Sequence, residues 1–320
     1  MALRFPERAK PSRRLRDDEL TAYEADGAIC ARGLLDAATV DGMREALEDV
    51  LSNAGNLGGT LSRPGDGFHG DIFVWKLHDA FRDLALFSCL PELAQQVLGS
   101  DRVAFFYEQF FVKRAGSPVA TPWHQDIPFW PIAGSQLVSF WITLDPVSRS
   151  SSGLEFVRGS HRWSERYKAV TPTRDPYMMD TDLPEAPDFG ALRDRHEILG
   201  WDMEPGDVLV FGPVVAHGSG ANASQERDRR ALAFRYAGDD VTFAPRHATM
   251  PLLWDHGLEP GDRLGGSLFP QVFPDVLESE VAKRWAGPEP PSEAAVGRFL
   301  AHLEATGFGP DGRKKPLLDA

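Results

Sequence analysis

Five short apolar runs between Val103 and Tyr236 constrain the fold of this chain more than any other feature. The runs are rich in β-branched and aromatic residues, and Gly, Pro and Ser separate them. They cover residues 103–113, 136–144, 153–157, 207–211 and 229–236. Apolar runs of this length with turn residues between them are typical of antiparallel strands in a sandwich or barrel. The sequence therefore predicts a mainly β core.

The residues before this core follow a helical pattern. Asp36 precedes a segment in which apolar residues recur at helical spacing, and it is a suitable N-cap. A second segment has Pro91 in its first turn and Gly99 just beyond its end, as helices commonly do. We expect these helices to flank the β core.

The organisation predicted for the chain is one domain covering residues 1–320. Residues 1–102 form its mainly helical flank, residues 103–238 its β core, and residues 239–320 a C-terminal extension. Within the core, residues 162–201 show no strand alternation, and they are longer than an ordinary connection. We interpret them as a lid-like insertion.

Charge and cysteine content limit the partners and the compartment. The chain has 34 basic and 47 acidic residues and a net charge of −13, so it repels phosphate backbones and no nucleic-acid partner is expected. No run reaches the roughly 18 apolar residues of a membrane span, so no membrane partner is expected either. Cys30 and Cys89 form no disulfide or zinc pattern, which predicts buried thiols in a reducing cytoplasm. The oligomeric state is not specified.

Three residues could form a metal site. His124 and Asp126 are two residues apart, so in an extended strand both side chains leave the same face. His69 and Asp71 have the same spacing, but they lie in the Gly-rich stretch GDGFHGD, which we interpret as a loop. His217 follows a strand-turn-strand pattern and completes a set of two imidazoles and one carboxylate. Such a set binds ferrous iron on one octahedral face and leaves three positions for a bidentate cosubstrate and dioxygen.

An arginine and a strand face supply candidate binding residues. Arg229 heads the apolar run that follows His217, and its guanidinium could hold a dicarboxylic acid through two parallel hydrogen bonds. Tyr107 and Gln109 belong to one alternating face of the first β run. Gln109 could reach the cosubstrate or the substrate, whereas Tyr107 is a candidate for core lining or for the substrate wall.

Three apolar residues come directly after the His124–Asp126 pair. Ile127, Phe129 and Trp130 could therefore wall a substrate pocket, although any core uses such residues.

Four segments together resemble the phytanoyl-CoA dioxygenase family of iron(II)- and 2-oxoglutarate-dependent oxygenases. They are WHQD at 123–126, FWITLDPV at 140–147, GLEFVRGSH at 153–161 and HGSGANASQERDRRAL at 217–232. The resemblance implies a double-stranded β-helix, which is the cupin-like jelly roll, with helices packed on one side.

The resemblance also implies roles for individual residues. His124, Asp126 and His217 would bind iron, and Arg229 would bind the far carboxylate of 2-oxoglutarate. The resemblance further places Trp141 beside the cosubstrate, Ser219 near the same carboxylate, and, by a loose alignment, Lys76 within reach of it.

The implied reaction is hydroxylation of a small organic molecule, with decarboxylation of 2-oxoglutarate to succinate and consumption of dioxygen. Hydroxylation is favoured over halogenation because Asp126 is present, whereas related halogenases have a small residue there. The strongly acidic chain argues against a coenzyme A ester as substrate. Two alternatives remain: a cupin-like metal enzyme that needs no 2-oxoglutarate, and a non-catalytic jelly-roll binding protein.

Overall fold

The computed structural model describes residues 13–53, 64–168, 181–250, 252–274 and 287–297. Among these residues, four α-helices precede the long central strands: α1 Asp17–Asp26, α2 Ala37–Leu51, α3 Asp79–Phe87 and α4 Leu90–Leu98. The helix predicted after Asp36 is confirmed as α2, because the Asp36 carboxylate accepts a hydrogen bond of 2.7 Å from the Thr39 amide. The helix predicted around Pro91 is confirmed as α4, and Gly99 ends it with a positive φ of 61°.

The described residues contain thirteen strands, which are distributed over three sheets. In chain order they are β1 Ala28–Ala31, β2 Phe68–Ile72, β3 Val103–Lys113, β4 Thr121–His124, β5 Ile132–Ala133, β6 Leu137–Thr143, β7 Leu154–Val157, β8 Ile198–Gly200, β9 Val208–Phe211, β10 His217–Ser219, β11 Arg229–Ala237, β12 Thr242–Phe243 and β13 Gln271–Phe273.

The large sheet has the order β1-β9-β6-β11-β3-β13, and β2 also pairs with β3. The small sheet has the order β4-β10-β7-β8, while β5 and β12 form a separate pair. Every one of these pairings is antiparallel. The two larger sheets face each other, which confirms the predicted jelly-roll core.

Strand β11 shows how the large sheet separates two apolar layers. Leu232 and Phe234 belong to the core cluster that also contains the buried residues of α2, α3 and α4. Ala231 and Ala233 alternate with them and belong to the cluster that includes Leu154 and Phe156 of the small sheet. One face of the large sheet therefore packs on the helices, and the other face lines the space between the sheets.

The β core extends beyond the predicted limits of 103–238. Strands β1 and β2 come from the region predicted to be mainly helical, and β12 and β13 come from the region predicted to be an extension. These strands are short, and they form through pairing with distant strands such as β9 and β3. Local sequence patterns do not report such pairings. The assignment of the whole chain to one domain stays a prediction.

The segment predicted as a lid, 162–201, is described in part, because residues 169–180 lie outside the described ranges. Its last residues include β8, which pairs with β7, and Phe189 packs against Trp123 with 5.7 Å between ring centroids. The segment therefore contacts the strand that carries His124. Its movement as a lid stays a prediction.

None of the helices within the described ranges combines the length and the hydropathy that crossing a bilayer requires.

Candidate metal centre

Two neighbouring strands of the small sheet bring the predicted histidines together. His124 ends β4 and His217 begins β10, and the two residues are direct partners in the antiparallel register. Their ring centroids are 4.3 Å apart. Gly218 permits this pairing, because a Cβ at that position would lie 3.0 Å from the Thr121 carbonyl oxygen. The sequence therefore has glycine at a point where the backbone of β4 lies close to β10.

Asp126 lies in the turn that follows β4, and the loop after β9 fixes its position. The backbone amide of Asp126 donates to the carbonyl oxygen of Pro213 at 2.9 Å, and the amide of Ile127 donates to the same oxygen at 3.1 Å. Gln125 lies between His124 and Asp126 in the chain. Its side chain is buried, and its amide nitrogen donates to the carbonyl oxygen of Val214 at 3.0 Å. The backbone around the site is therefore held from both sides.

The three side chains converge on one point. Oδ1 of Asp126 lies 3.7 Å from Nε2 of His124 and 3.9 Å from Nε2 of His217. The candidate ligand atoms of the three residues all lie within 4.8 Å of one another. No other group of three or more possible ligands approaches this closely within the described residues.

The hydrogen bonds of both imidazoles suit a metal ligand. Nδ1 of His124 lies 2.8 Å from the carbonyl oxygen of Pro122, and Nδ1 of His217 lies 3.0 Å from that of Val215. A carbonyl oxygen only accepts, so each Nδ1 carries the proton and each Nε2 keeps its lone pair. Oδ2 of Asp126 is buried and has no hydrogen-bond partner. The lone pairs of the two Nε2 atoms and the unpartnered carboxylate oxygen could all bind one divalent cation. The residues therefore fit iron.

Burial and neighbouring charges keep two of these groups in the state that binds metal. Burial, and then the adjacent His124, lower the pKa of His217 to about 4, so its imidazole is neutral near pH 7. Burial alone would raise the pKa of Asp126, but His124, His217 and Arg235 favour the carboxylate and lower the pKa to about 2.

Arg229 begins β11 and points into the space between the sheets. It is 3% exposed, and burial lowers its pKa to about 10. Its Nη1 donates to the carbonyl oxygen of Phe111 at 3.1 Å, and its guanidinium carbon lies 5.7 Å from the ring centroid of Trp141. Nε has no partner, and within the described residues no carboxylate forms an ion pair with Arg229. A buried guanidinium with free donors can receive an anionic ligand.

A buried polar cluster lies beside Arg229. Nζ of Lys113 donates to the hydroxyl oxygens of Ser152 at 2.8 Å and Ser219 at 3.0 Å, and to the carbonyl oxygen of Gly220 at 3.0 Å. Burial, and then the charge of Arg229, hold the pKa of Lys113 well below its usual value. Ser152 is in the left-handed region, with a φ of 70°, and lies 3.4 Å from Nη2 of Arg229. Sequence reasoning gave no role to Lys113 or Ser152.

The triad and Arg229 line the same cavity. Of the predicted binding residues, Gln109, Trp141, Tyr107 and Phe129 line it, together with Arg229 and the triad. Ser219 belongs to the Lys113 cluster.

Three predicted residues lie elsewhere. Ile127 and Trp130 do not line the cavity; Trp130 is fully buried behind Tyr107, and its indole donates to the Tyr107 hydroxyl at 2.7 Å. Lys76 is buried, lies over the ring of Trp75 and forms an ion pair with Glu289, so the structure does not bring it to the cavity.

The pair His69 and Asp71 is not a loop, contrary to the sequence interpretation. Both residues lie in β2, where they pair with Val112 and Phe110 of β3. The glycines in this stretch suggested a loop, but pairing with the long strand β3 determines its structure. The carboxylate of Asp71 accepts a hydrogen bond from the Ile72 amide at 2.8 Å.

Sequence reasoning missed Arg235 altogether. It lies on β11 six residues after Arg229, lines the cavity and is 4% exposed. A signal was present in the sequence RRALAFR, because Arg229, Ala231, Ala233 and Arg235 alternate and must share one strand face.

Fold and site together define the class: a jelly-roll protein with two histidines and one carboxylate positioned for a metal at the wall of a cavity. A family model for phytanoyl-CoA dioxygenase matches residues 23–231. The chain belongs to the phytanoyl-CoA dioxygenase family. It is therefore a non-haem iron oxygenase that uses iron, 2-oxoglutarate and dioxygen, as the sequence resemblance implied.

Curated relatives agree with this assignment. A probable phytanoyl-CoA dioxygenase of Caenorhabditis elegans is 29% identical over 130 residues, which is 38% of this chain and 37% of the relative. The human peroxisomal phytanoyl-CoA dioxygenase is 24% identical over 69% of this chain and 68% of its own length. A 1-deoxypentalenic acid 11-beta-hydroxylase of Streptomyces exfoliatus is 29% identical over 63% of this chain and 73% of its own length.

A solved structure with the same fold is that of SnoK, a non-haem, α-ketoglutarate-dependent carbocyclase from nogalamycin biosynthesis. It matches with a TM-score of 0.63 and 24% identity, over 82% of this chain and 99% of SnoK.

Proposed function

We propose that this protein hydroxylates a small organic molecule while it decarboxylates 2-oxoglutarate to succinate, and that His124, Asp126 and His217 hold the iron. The observation that carries the proposal is the convergence of these three ligand atoms within 4.8 Å at the wall of a cavity that also contains Arg229. Iron with 2-oxoglutarate and dioxygen supplies the oxidising chemistry that an unactivated carbon requires.

The chain's own residues position the reactants. Arg229 takes the far carboxylate of 2-oxoglutarate, since its Nε and one side of Nη2 lack strong partners. Trp141 holds the guanidinium plane from one side. The amine of Lys113 donates to the hydroxyl oxygens of Ser152 and Ser219, and the Ser152 hydroxyl donates to that of Ser219. These hydrogen bonds hold the polar groups beside Arg229 in place. This arrangement would hold the keto acid in the cavity that the triad also lines.

The remaining wall receives the substrate and excludes water. Tyr107, Phe129 and Phe211 give the cavity an aromatic lining, and Gln109 adds an amide. Such a lining suits an apolar molecule with a few polar groups. The carboxylate of Asp126 is retained as a ligand, which supports hydroxylation over halogenation.

A coenzyme A ester remains an unfavourable substrate for this chain. A second depression borders the site at Thr121, and the acidic residues Glu155, Glu185 and Asp188 are among the described residues that line it. Arg149 and Arg193 pair with Glu155, so Glu185 and Asp188 carry the remaining negative charge. These carboxylates, and the net charge of −13 of the whole chain, would repel the phosphates of coenzyme A. We therefore propose a small free metabolite, acted on in the cytoplasm, which the two free cysteines Cys30 and Cys89 support.

Succinate formation tests the proposed function. Purified protein with ferrous iron, 2-oxoglutarate and oxygen should release succinate, and the release should stop when iron is chelated or 2-oxoglutarate is omitted. Asp126→Ala should lose both the release and the tight iron binding. The cupin-like alternative predicts an activity that persists without 2-oxoglutarate. The binding-protein alternative predicts no succinate under any condition.

A further inference from the structure

Two buried guanidiniums lie on the same face of β11, at opposite ends of the cavity wall. Arg229 and Arg235 both line the cavity, and only the small side chains of Ala231 and Ala233 lie between them on that face. 2-Oxoglutarate has two carboxylates, and the proposed function would commit the far one to Arg229 and the near one to the iron. A keto acid held in this way has no carboxylate left for Arg235.

Arg235 has few partners for a buried charge. It is 4% exposed, its Nη1 donates to the carbonyl oxygen of Ala233 at 3.2 Å, and its Nη2 lies 3.5 Å from Oε1 of Gln109. Its Nε has no hydrogen-bond partner. Within the described ranges, no carboxylate forms an ion pair with Arg235; Asp126 acts on it only at longer distance. Leaving a buried guanidinium in this state costs free energy, which a bound anion would recover.

Aromatic rings hold the guanidinium in one orientation. The guanidinium carbon lies 4.4 Å from the ring centroid of Tyr107 and 5.5 Å from that of Trp130. The hydrogen bond between the Trp130 indole and the Tyr107 hydroxyl fixes the two rings relative to each other. The strand register shifts directly after Arg235, and such an irregularity redirects side chains. A guanidinium fixed this way presents its donors in a planar fork, the geometry that a carboxylate matches.

The charges at the loaded centre leave Arg235 without compensation. The two charges of ferrous iron would be balanced by Asp126 and by the near carboxylate of the keto acid. The charge of Arg229 would be balanced by the far carboxylate. We propose that Arg235 binds a carboxylate group of the primary substrate, so that the enzyme acts on a small carboxylic acid with an apolar body. This inference rests on the proposed function, and it assigns the substrate class of the same site.

Matched acids and esters test this assignment. The probes are decanoate, cyclohexanecarboxylate, 2-naphthoate and abietate, each with its methyl ester, which keeps the apolar body and removes the charge. Two readouts are recorded: succinate release above the rate without probe, and the change in Tm of the metal-free protein, in which no turnover occurs. The variants are Arg235→Gln and Arg235→Lys. The control is Arg102→Gln, because Arg102 is an exposed guanidinium that pairs with Asp239.

We expect at least one acid to raise the Tm and to stimulate succinate release about 10-fold more than its ester, since a bidentate charged contact is worth a factor of about 10–100. Arg235→Gln should abolish this preference, Arg235→Lys should keep part of it, and Arg102→Gln should keep all of it. Equal effects of acid and ester, an unchanged preference in Arg235→Gln, or no effect of any acid on either readout would each overturn the assignment. Succinate release that does not depend on 2-oxoglutarate would instead contradict the proposed function, and the Tm readout would still test Arg235.

Discussion

The two faces of β11 differ in what their residues do for the protein. On the outer face, Leu232, Phe234 and Tyr236 are fully buried, and the Tyr236 hydroxyl donates to the carbonyl oxygen of Ala85 in α3 at 2.8 Å. On the inner face, Arg229 and Arg235 flank two alanines at the cavity. The outer residues bury apolar area and stabilise the fold, whereas two buried charges without carboxylate partners destabilise it.

This difference indicates which buried residues contribute to ligand binding and which contribute to stability. A buried arginine without a counter-charge costs free energy, and an anionic ligand can supply the missing charge. We therefore expect substitutions at the cavity to change ligand binding and turnover with little loss of stability. We expect substitutions on the helix side of the sheet to change stability and leave ligand binding intact. Four substitutions test this separation, from the largest expected effect to the smallest.

His217→Ala should reduce turnover by about 10³-fold or more, because one of the three iron ligands is lost. The chain should remain folded, and its Tm should fall less than that of the helix-side variant described next. Turnover is measured as succinate release in the presence of substrate and iron. His247→Ala serves as control, since His247 is exposed and does not line the cavity. Normal turnover in His217→Ala would reject the metal site.

Phe140→Ala should lower the free energy of unfolding by about 3–5 kcal/mol, the usual cost of removing a buried phenyl ring. Phe140 is fully buried on the helix side of β6 and packs against Tyr236 with 5.8 Å between ring centroids. Denaturant unfolding measures the loss. Below the unfolding transition, the affinities for iron and 2-oxoglutarate should match those of the unchanged protein. A parallel loss of affinity would show that the two faces are not separable.

The sequence predicted the triad because its signals are local. His124 and Asp126 have the two-residue period of a strand, and His217 and Arg229 lie in a recognisable motif. Arg235 was missed because ALAFRY reads as an apolar strand, and nothing local shows which face meets a cavity. Strand β2 was taken for a loop, since its glycines weaken a strand pattern that only pairing with β3 completes.

Glu108→Gln should change how stability depends on pH. Glu108 is fully buried, its Oε1 accepts from the Trp75 amide at 2.9 Å, and burial raises its pKa to about 8. The folded state therefore binds a proton more tightly than the unfolded state, so the free energy of unfolding falls as pH rises from about 4.5 to about 8. Glutamine keeps the acceptor and cannot ionise.

The variant should therefore be more stable than the unchanged protein at pH 8.5, by roughly 2–4 kcal/mol, and similar in stability at pH 4.5. Denaturant unfolding at the two pH values measures the difference. If the free energy of unfolding depends on pH in the same way in both proteins, Glu108 is not the cause of the predicted loss of stability. The KM for 2-oxoglutarate should stay the same, because Glu108 does not line the cavity.

Arg229→Gln should raise the KM for 2-oxoglutarate about 10–100-fold, which corresponds to roughly 1.5–3 kcal/mol for one charged, bidentate contact. Arg230→Gln is the matched control, since Arg230 is the next residue, points to the opposite face and pairs with Asp145 at 2.7 Å and Glu48 at 2.9 Å. Its KM for 2-oxoglutarate should not change. Equal effects of the two substitutions would place the cosubstrate elsewhere.

Anaerobic iron binding tests the central claim most directly. Ferrous iron is titrated into the unchanged protein, Asp126→Ala and His217→Ala, and the bound metal is counted by equilibrium dialysis at equal protein concentration. The convergence of the three side chains predicts about one tightly bound ion per chain in the unchanged protein and a marked loss of affinity in both variants. Equal iron binding by all three proteins would contradict it, because the metal would then be held by other residues.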